Sequence, residues 1–263
     1  MEDQLRLQSR VPRGFDVSVP HPARVWNYWL GGKDHFAADR AAANKAIEAI
    51  PQLPVIARAT RRFVNDTVRE LAGSHGIRQF LDIGTGLPVD AATHEVAYSA
   101  APDARVVYVD NDPIVTSHAQ ALLVRGGTGT TDYAELDLRD TSEVLTRAAK
   151  TIDFDEPAAV LLSAVVHFLP DADDPWGIVE RLTAALAPGS YLLISHLASD
   201  VTPAAVAAMA SGYNERAAVP LTPRSREQVT RFFDGVTLTG QGVVSSGAGR
   251  DLPAYFGLGR KAR

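Results

Sequence analysis

The chain has 263 residues, enough for one sizeable core with a helical appendage, and its 46% hydrophobic and 22% charged residues are the balance of a globular enzyme. A formal net charge of -5 argues against nucleic acid as a partner, because nonspecific binding needs a basic surface or patch. With no cysteine in the sequence, disulfides, thiolate zinc sites and cysteine nucleophiles are all excluded.

In chain order, residues 1–20 lack periodicity and read as a loose extension, with no apolar segment of the secretory kind. No run of about 18 apolar residues follows, so no membrane partner and a cytoplasmic location are expected. Pro22 opens a helix that Gly31-Gly32 stops. A second helix spans residues 37–50 and ends at Pro51; a third spans 55–72, with Arg58 to Arg62 on its solvated face. Residues 1–76 are therefore expected to be an extension and helical lid, and 77–263 a sheet domain.

From residue 77 onward apolar strands alternate with amphipathic helices. Strands are expected at 79–83, 105–110, 132–137, 158–164, 191–196, 236–239 and 255–259. Helices are expected at 90–99, 113–124, 142–150, 175–186, 203–216 and 226–233. That order predicts right-handed βαβ units and an α/β Rossmann-like sheet covered on both faces. The last two strands are joined without a long helix, so the final strand is expected to run antiparallel. The prediction is a seven-stranded, mostly parallel sheet.

Three acidic strand ends carry the chemistry. Strand one runs into Asp82-Ile-Gly84-Thr85-Gly86, where two glycines let the backbone approach a ligand closely. A dinucleotide-binding loop would have a third glycine, but Val89 stands there, preceded by Pro88. Asp82 is awkward beside a diphosphate and suits a cofactor carrying a sulfonium and an ammonium. Strand two ends in Asp110-Asn111-Asp112, 24 residues beyond Gly86, where Asp110 can accept from both ribose hydroxyls. Asp112 reads more naturally as the cap of the helix opened by Pro113. Strand three ends in Asp137-Leu138, a carboxylate for an adenine amine and a side chain to pack on the ring.

The string from Pro20 to Arg40, PHPARVWNYWLGGKDHFAADR, is similar to the opening signature of the actinobacterial S-adenosyl methyltransferase family. So are FLDIGTGLP, HEVA, ARVVYVDNDPIV, HFLPD and PGSYLLISH, and the match runs from about residue 16 to the C-terminus. The resemblance implies a class I methyltransferase fold, S-adenosylmethionine as cofactor and S-adenosylhomocysteine as product. One departure follows the glycine loop, where relatives tend to carry a Thr and an Asn and this chain reads VDAAT. In the lid, Arg24 and Tyr28 share a helix face; Arg24 is expected at the cofactor carboxylate, Tyr28 over the methionine or acceptor, and Gly31 in backbone contact. The alternative is a helix whose Trp26 and Trp29 simply pack on the sheet.

Strand four exits through Ser163-Ala-Val-Val-His167, where class I enzymes meet donor and acceptor. No Asn-Pro-Pro-Tyr signature of base methylation is present. His167, and second His196, are candidate general bases, although either can be a structural histidine and methyl transfer can proceed without one. His94-Glu95 lacks the second histidine of a zinc helix, since residue 98 is Tyr, and Asp34, His35 and Asp39 have no metal-ligand spacing. The expected function is methylation of oxygen or nitrogen on a small organic acceptor. A regulatory protein that binds the cofactor without turnover, and an NAD-dependent oxidoreductase, are the alternatives.

Overall fold

The computed structural model of the chain describes residues 16–87, 91–115, 117, 129–215, 217, 219–247 and 250–262. Three helices come first, α1 (Pro22–Trp29), α2 (Ala37–Ala49) and α3 (Leu53–Ser74). Pro22 begins α1 with its missing N–H where none is needed. The helix closes in a paired C-terminal turn: Gly31 N–H donates to Tyr28 O at 3.0 Å and Gly32 N–H to Asn27 O at 2.9 Å. Gly31 takes φ +83 there, a conformation glycine adopts without Cβ strain.

The sheet follows as β1 (Gln79–Ile83), α4 (Thr93–Ala100), β2 (Arg105–Asp110), β3 (Thr130–Glu135), α5 (Thr141–Ala148) and β4 (Ala159–Ser163). Then come α6 (Pro175–Ala184), β5 (Tyr191–Leu197), α7 (Pro203–Asn214), α8 (Arg226–Thr230), β6 (Thr237–Leu238), β7 (Val244–Gly247) and β8 (Arg250–Arg260). The strand order is β3-β2-β1-β4-β5-β8-β6, with β7 paired to β8. β1 to β5 are mutually parallel, and β8 runs antiparallel to β5, β6 and β7. This is the class I methyltransferase sheet, enlarged by one strand. The helix expected at 113–124 lies mostly outside the described residues.

The extra strand comes from the segment read as a connector. β7 and β8 form a hairpin with Gly247 opposite Arg250, and β8 is more than twice as long as expected. Its start was hidden because Gly, Asp and Pro253 disfavour a strand on propensity alone; Pro253 contributes only its carbonyl, which accepts from Ala198 N–H at 3.0 Å. β3 starts and ends two residues earlier than expected, which leaves Asp137 in the turn beyond the strand.

Alternation along β1 sorts the core into two layers. Leu81 and Ile83 face α5, α6 and the segment around Phe232, while Phe80 faces α3 and α4. Asp82 shares the face of Phe80 and so points toward α3 and α4. A third cluster joins the N-terminal helices to α7 and β8, through Ile50, Leu53, Ile56, Met209 and Phe256. Among the described residues no helix is long and apolar enough to cross a membrane.

Candidate active site

The carboxyl ends of β1 to β4 border a cleft of about 1170 Å³, its open mouth included. Nine residues singled out from the sequence line it together: Asp82, Gly84, Thr85, Gly86, Asp110, Asn111, Asp137, Leu138 and Ser163. Gly84 and Gly86 both have left-handed backbones, φ +73 and φ +64. A Cβ on Gly84 would meet the Val165 side chain at 2.5 Å, whereas one on Gly86 would project into open space. The loop is therefore packed below at Gly84 and bare above at Gly86, a surface a ligand can approach at van der Waals distance.

Each carboxylate is held by its own partners. Asp82 is buried and accepts from Thr93 Oγ1 at 2.7 Å; burial raises its pKa, with the Thr93 hydroxyl acting against it. Asp110 Oδ2 accepts from Gly86 N–H at 2.8 Å and Oδ1 from Asp112 N–H at 3.0 Å. Burial nevertheless pushes Asp110 up to about 6, against those two amides. Asp137 is the opposite case. Burial would raise it, but the Arg139 amide, Asn111 Nδ2 and the Arg139 guanidinium hold it below the usual carboxylate range.

The lid residues lie elsewhere than expected. Arg24 is 2% exposed and absent from the cleft lining. Its guanidinium lies 3.6 Å from Asp39 and 3.8 Å from Asp112, and donates to Val19 O at 2.9 Å. Asp112 also takes His21 Nδ1 at 2.9 Å and caps the following turn through Ile114 N–H at 2.9 Å. Tyr28 pairs with Asn44 at 3.0 Å on the outer side of the helix, and Gly31 serves the helix terminus. The physical reason is helical phase: successive side chains rotate by about 100°, so Pro22, Trp26 and Leu30 meet the cleft while Arg24 and Tyr28 are carried past it.

Several lining residues were not recognised in the sequence. Thr60, Arg61 and Val64 come from α3, and Ala164 from the end of β4. Arg61 bends from the helix read as solvated, donates to Ala91 O at 2.8 Å, and lies near enough to Asp82 to stabilise its charge. One signal was available: Thr60 interrupts the apolar stripe Leu53, Ile56, Ala57, Val64, Val68 and is only 4% exposed. Ala164 has φ +55, which costs an L-residue about 1 kcal/mol, and its amide is held by Ser195 Oγ at 2.9 Å. No local residue pattern announces that strain.

At Ala164 the cleft adjoins a second chamber of about 580 Å³, its mouth included, which shares Pro22, Trp26, Thr60 and Phe168 with it. His167 and His196 line this chamber rather than the cleft. His196 is engaged at both nitrogens: Nδ1–H donates to Leu197 O at 2.9 Å and Nε2 accepts from Arg224 at 3.2 Å. Burial lowers its pKa to about 3. Arg224, buried against Trp176 and Phe232, also donates to Val166 O, Leu169 O and Asp171. His196 is thereby part of a scaffold holding the loop after β4. His167 Nδ1 accepts a long 3.4 Å bond from Leu197 N–H, and burial lowers its pKa well below the ordinary value.

The profile of the S-adenosyl methyltransferase family matches residues 8–251. The chain belongs to that family. Its cofactor is S-adenosylmethionine, and the dinucleotide-dependent oxidoreductase reading falls. Among solved structures the chain is similar to a DUF574 family protein from Streptomyces avermitilis, at 39% identity over 94% of this chain and 99% of that one, TM-score 0.88. It is equally similar to a Thermobifida fusca protein proposed to be a methyltransferase, at 40% identity over 96% and 98%, TM-score 0.86. A carboxy-S-adenosyl-L-methionine synthase from Psychrobacter arcticus is 26% identical over 56% of this chain, and the match spans only 50% of that relative. The cleft fits the family's cofactor chemically: carboxylates stand at three strand ends, where an ammonium, a diol and an exocyclic amine need acceptors, beside a loop bare of Cβ at Gly86.

Proposed function

We propose that this methyltransferase transfers a methyl group to oxygen or nitrogen of a small organic acceptor. The observation that carries the reading is the junction at Ala164, where the carboxylate-edged cleft adjoins a chamber beneath α1 with no charged residue among its described lining. Asp110 receives the ribose hydroxyls, Asp137 the adenine amine and Leu138 the ring face; Asn111 orients Asp137. Asp82 faces the ammonium, and Gly84, Thr85 and Gly86 lend the backbone surface. Arg61, in place of Arg24, pairs with the cofactor carboxylate. Ser163, whose Oγ lies 3.2 Å from Ser195 Oγ, stands at the methyl end. Trp26 and Leu30 cover the cleft.

When bound, S-adenosylmethionine would supply a sulfonium-activated methyl group for an acceptor lone pair, with neutral S-adenosylhomocysteine as the leaving group. The chain contributes alignment and exclusion of water, which can supply much of the acceleration. His196 is a positioning residue. With Nδ1 of His167 turned to the Leu197 amide, neither imidazole offers a free nitrogen lone pair, and the acceptor's proton leaves to water through the cleft mouth.

Turnover of methyl-labelled S-adenosylmethionine against a library of small alcohols, phenols and amines tests the reading. Labelled product is expected. Tight S-adenosylhomocysteine binding without product from any acceptor would favour a regulatory cofactor-binding protein, a reading supported by the engagement of both His196 nitrogens.

A further inference from the structure

The chamber beside the cleft has walls of unusual uniformity. Trp26 and Trp29 of α1 stand edge to face with ring centroids 5.6 Å apart. Phe168 and Tyr213 face the same space, tilted to each other at 6.4 Å. Aliphatic side chains such as Ile56, Met209 and Leu221 close the rest. None of the described lining residues is Asp, Glu, Lys or Arg. Asp39, the carboxylate that acts on Tyr213, is already taken by Arg24 and by the amides of His21 and Phe36.

Thr60, Ser195, His167, His196 and Tyr213 bring polar side-chain atoms to the wall. Ser195 Oγ is occupied with the Ala164 amide and Ser163, and His196 is engaged at both nitrogens. His167 differs. Because Nδ1 accepts from the Leu197 amide, the proton of the neutral ring is on Nε2, and burial keeps the ring neutral. The chamber therefore offers flat apolar faces and an N–H donor.

We infer that the methyl acceptor is an uncharged, planar aromatic molecule that gives a hydrogen-bond acceptor, such as a ring carbonyl, to His167 Nε2–H. This rests on the methyltransferase reading above and narrows it to a substrate class. Burying a charged group here would cost its full desolvation without a partner. An anion would find no cationic side chain. A cation is the stronger rival, because aromatic faces attract cations, but the Nε2–H donor opposes it and no lining carboxylate neutralises it. Aromatic rather than aliphatic character follows from the ring pairs, which gain from offset or edge-on contact with another π-face beyond simple area burial. The bound acceptor would sit against Ala164 and Phe168, two of the residues shared with the cofactor cleft, so its reacting atom meets the methyl end.

The test is calorimetry on the full chain. S-adenosylhomocysteine is titrated first, and its failure to bind would overturn the cofactor reading separately. The saturated protein is then titrated with 2-naphthol and coumarin as uncharged aromatic probes. Comparators are 2-naphthoate, 2-naphthylmethylammonium and the saturated alcohol 2-decalol. Both aromatic neutrals are expected to bind at least about tenfold more tightly than each comparator, the scale of one unmet polar or ring contact. Tighter binding of the ammonium would reveal a cation box and overturn the proposal. Equal binding of 2-decalol would overturn its aromatic part, and no binding by any neutral would overturn it outright. For the donor, His167→Gln keeps an N–H near the same point and should retain coumarin. His167→Leu should lose about tenfold for coumarin while naphthalene binds unchanged. Equal loss for both ligands in the Leu variant would reduce His167 to a packing residue. Should the Leu variant fail to fold, the wild-type ranking alone decides the proposal.

Discussion

The cleft and the chamber share one rim and are built from opposite materials. The cleft is assembled from the ends of β1 to β4, and its recognition groups are carboxylates fixed by backbone amides, a hydroxyl and a guanidinium. The chamber is assembled from α1, α3, α7, the loop after β4 and the end of β5, and its recognition surface is mainly aromatic and aliphatic. A sheet edge supplies directed polar groups at fixed spacing, which suits one invariant cofactor. Helices packed over that edge supply an apolar surface whose shape changes with side-chain size, which suits a variable acceptor. α1, α3 and the turn after β4 border both.

If the comparison holds, variants should separate into three kinds, and the largest effect should come from the frame beneath both regions. Arg24→Met leaves Asp39 and Asp112 buried, each with 0% exposure, and short of a cation. The expected loss is about 3–5 kcal/mol of stability in urea unfolding; a loss below about 1 kcal/mol would show that the surrounding amides suffice. Next in size, Asp110→Ala should weaken S-adenosylhomocysteine by about 1–3 kcal/mol through lost charge-assisted hydrogen bonds. The fold should survive, because the Gly86 and Asp112 amides that donate to Asp110 lie in the loops after β1 and β2, outside the strand ladders. Unchanged affinity would remove Asp110 from the site. Smaller again, Arg61→Met should cost S-adenosylhomocysteine about tenfold without changing 2-naphthol affinity in the saturated protein. Met209→Ala should do the reverse. A variant of either kind that weakened both ligands equally would break the division into two regions.

The two regions also differed in how far the sequence disclosed them. The cleft was legible because its groups are local: Asp82 stands two residues from Gly84, and Asp110 and Asp137 each end a predicted strand. Strand alternation then brings those ends to one edge without knowledge of tertiary packing. The lid helix was found within one residue, but its orientation was not, since amphipathic periodicity fixes relative phase and leaves open which face meets the ligand. Arg24 looked like a ligand for an anion and is a buried counterion for Asp39 and Asp112, partners 15 and 88 residues away in sequence. The chamber joins Trp26, Ile56, His167 and Met209, which no short window contains. The β7–β8 hairpin was missed for a different reason: Gly-rich and Pro-containing strands are made by pairing, not by propensity.

The smallest predicted effect concerns protons, and it separates the regions without any substitution. Burial raises the Asp110 carboxyl to about 6, from an unfolded value near ~3.9. For an acid raised on folding, the folded chain retains a proton that the unfolded chain has already released. Its contribution to stability is therefore fullest below the unfolded value and is lost as pH climbs through the folded one. Cofactor binding has the opposite sign. Two ribose hydroxyls donate to Asp110, so the bound state requires the ionised carboxylate and expels the proton. S-adenosylhomocysteine affinity should then rise with pH, by at most about tenfold per unit, and level off above about 6. Calorimetry in two buffers of different ionisation enthalpy should detect proton release at roughly pH 5 and almost none at roughly pH 7.5. Binding of 2-naphthol to the saturated protein should follow neither trend, because the groups that line its chamber do not change charge in that range: burial holds His167 and His196 neutral throughout. An S-adenosylhomocysteine affinity that is flat across this window, with no proton released, would mean that Asp110 does not take the ribose and that the amides of Gly86 and Asp112 are its only partners.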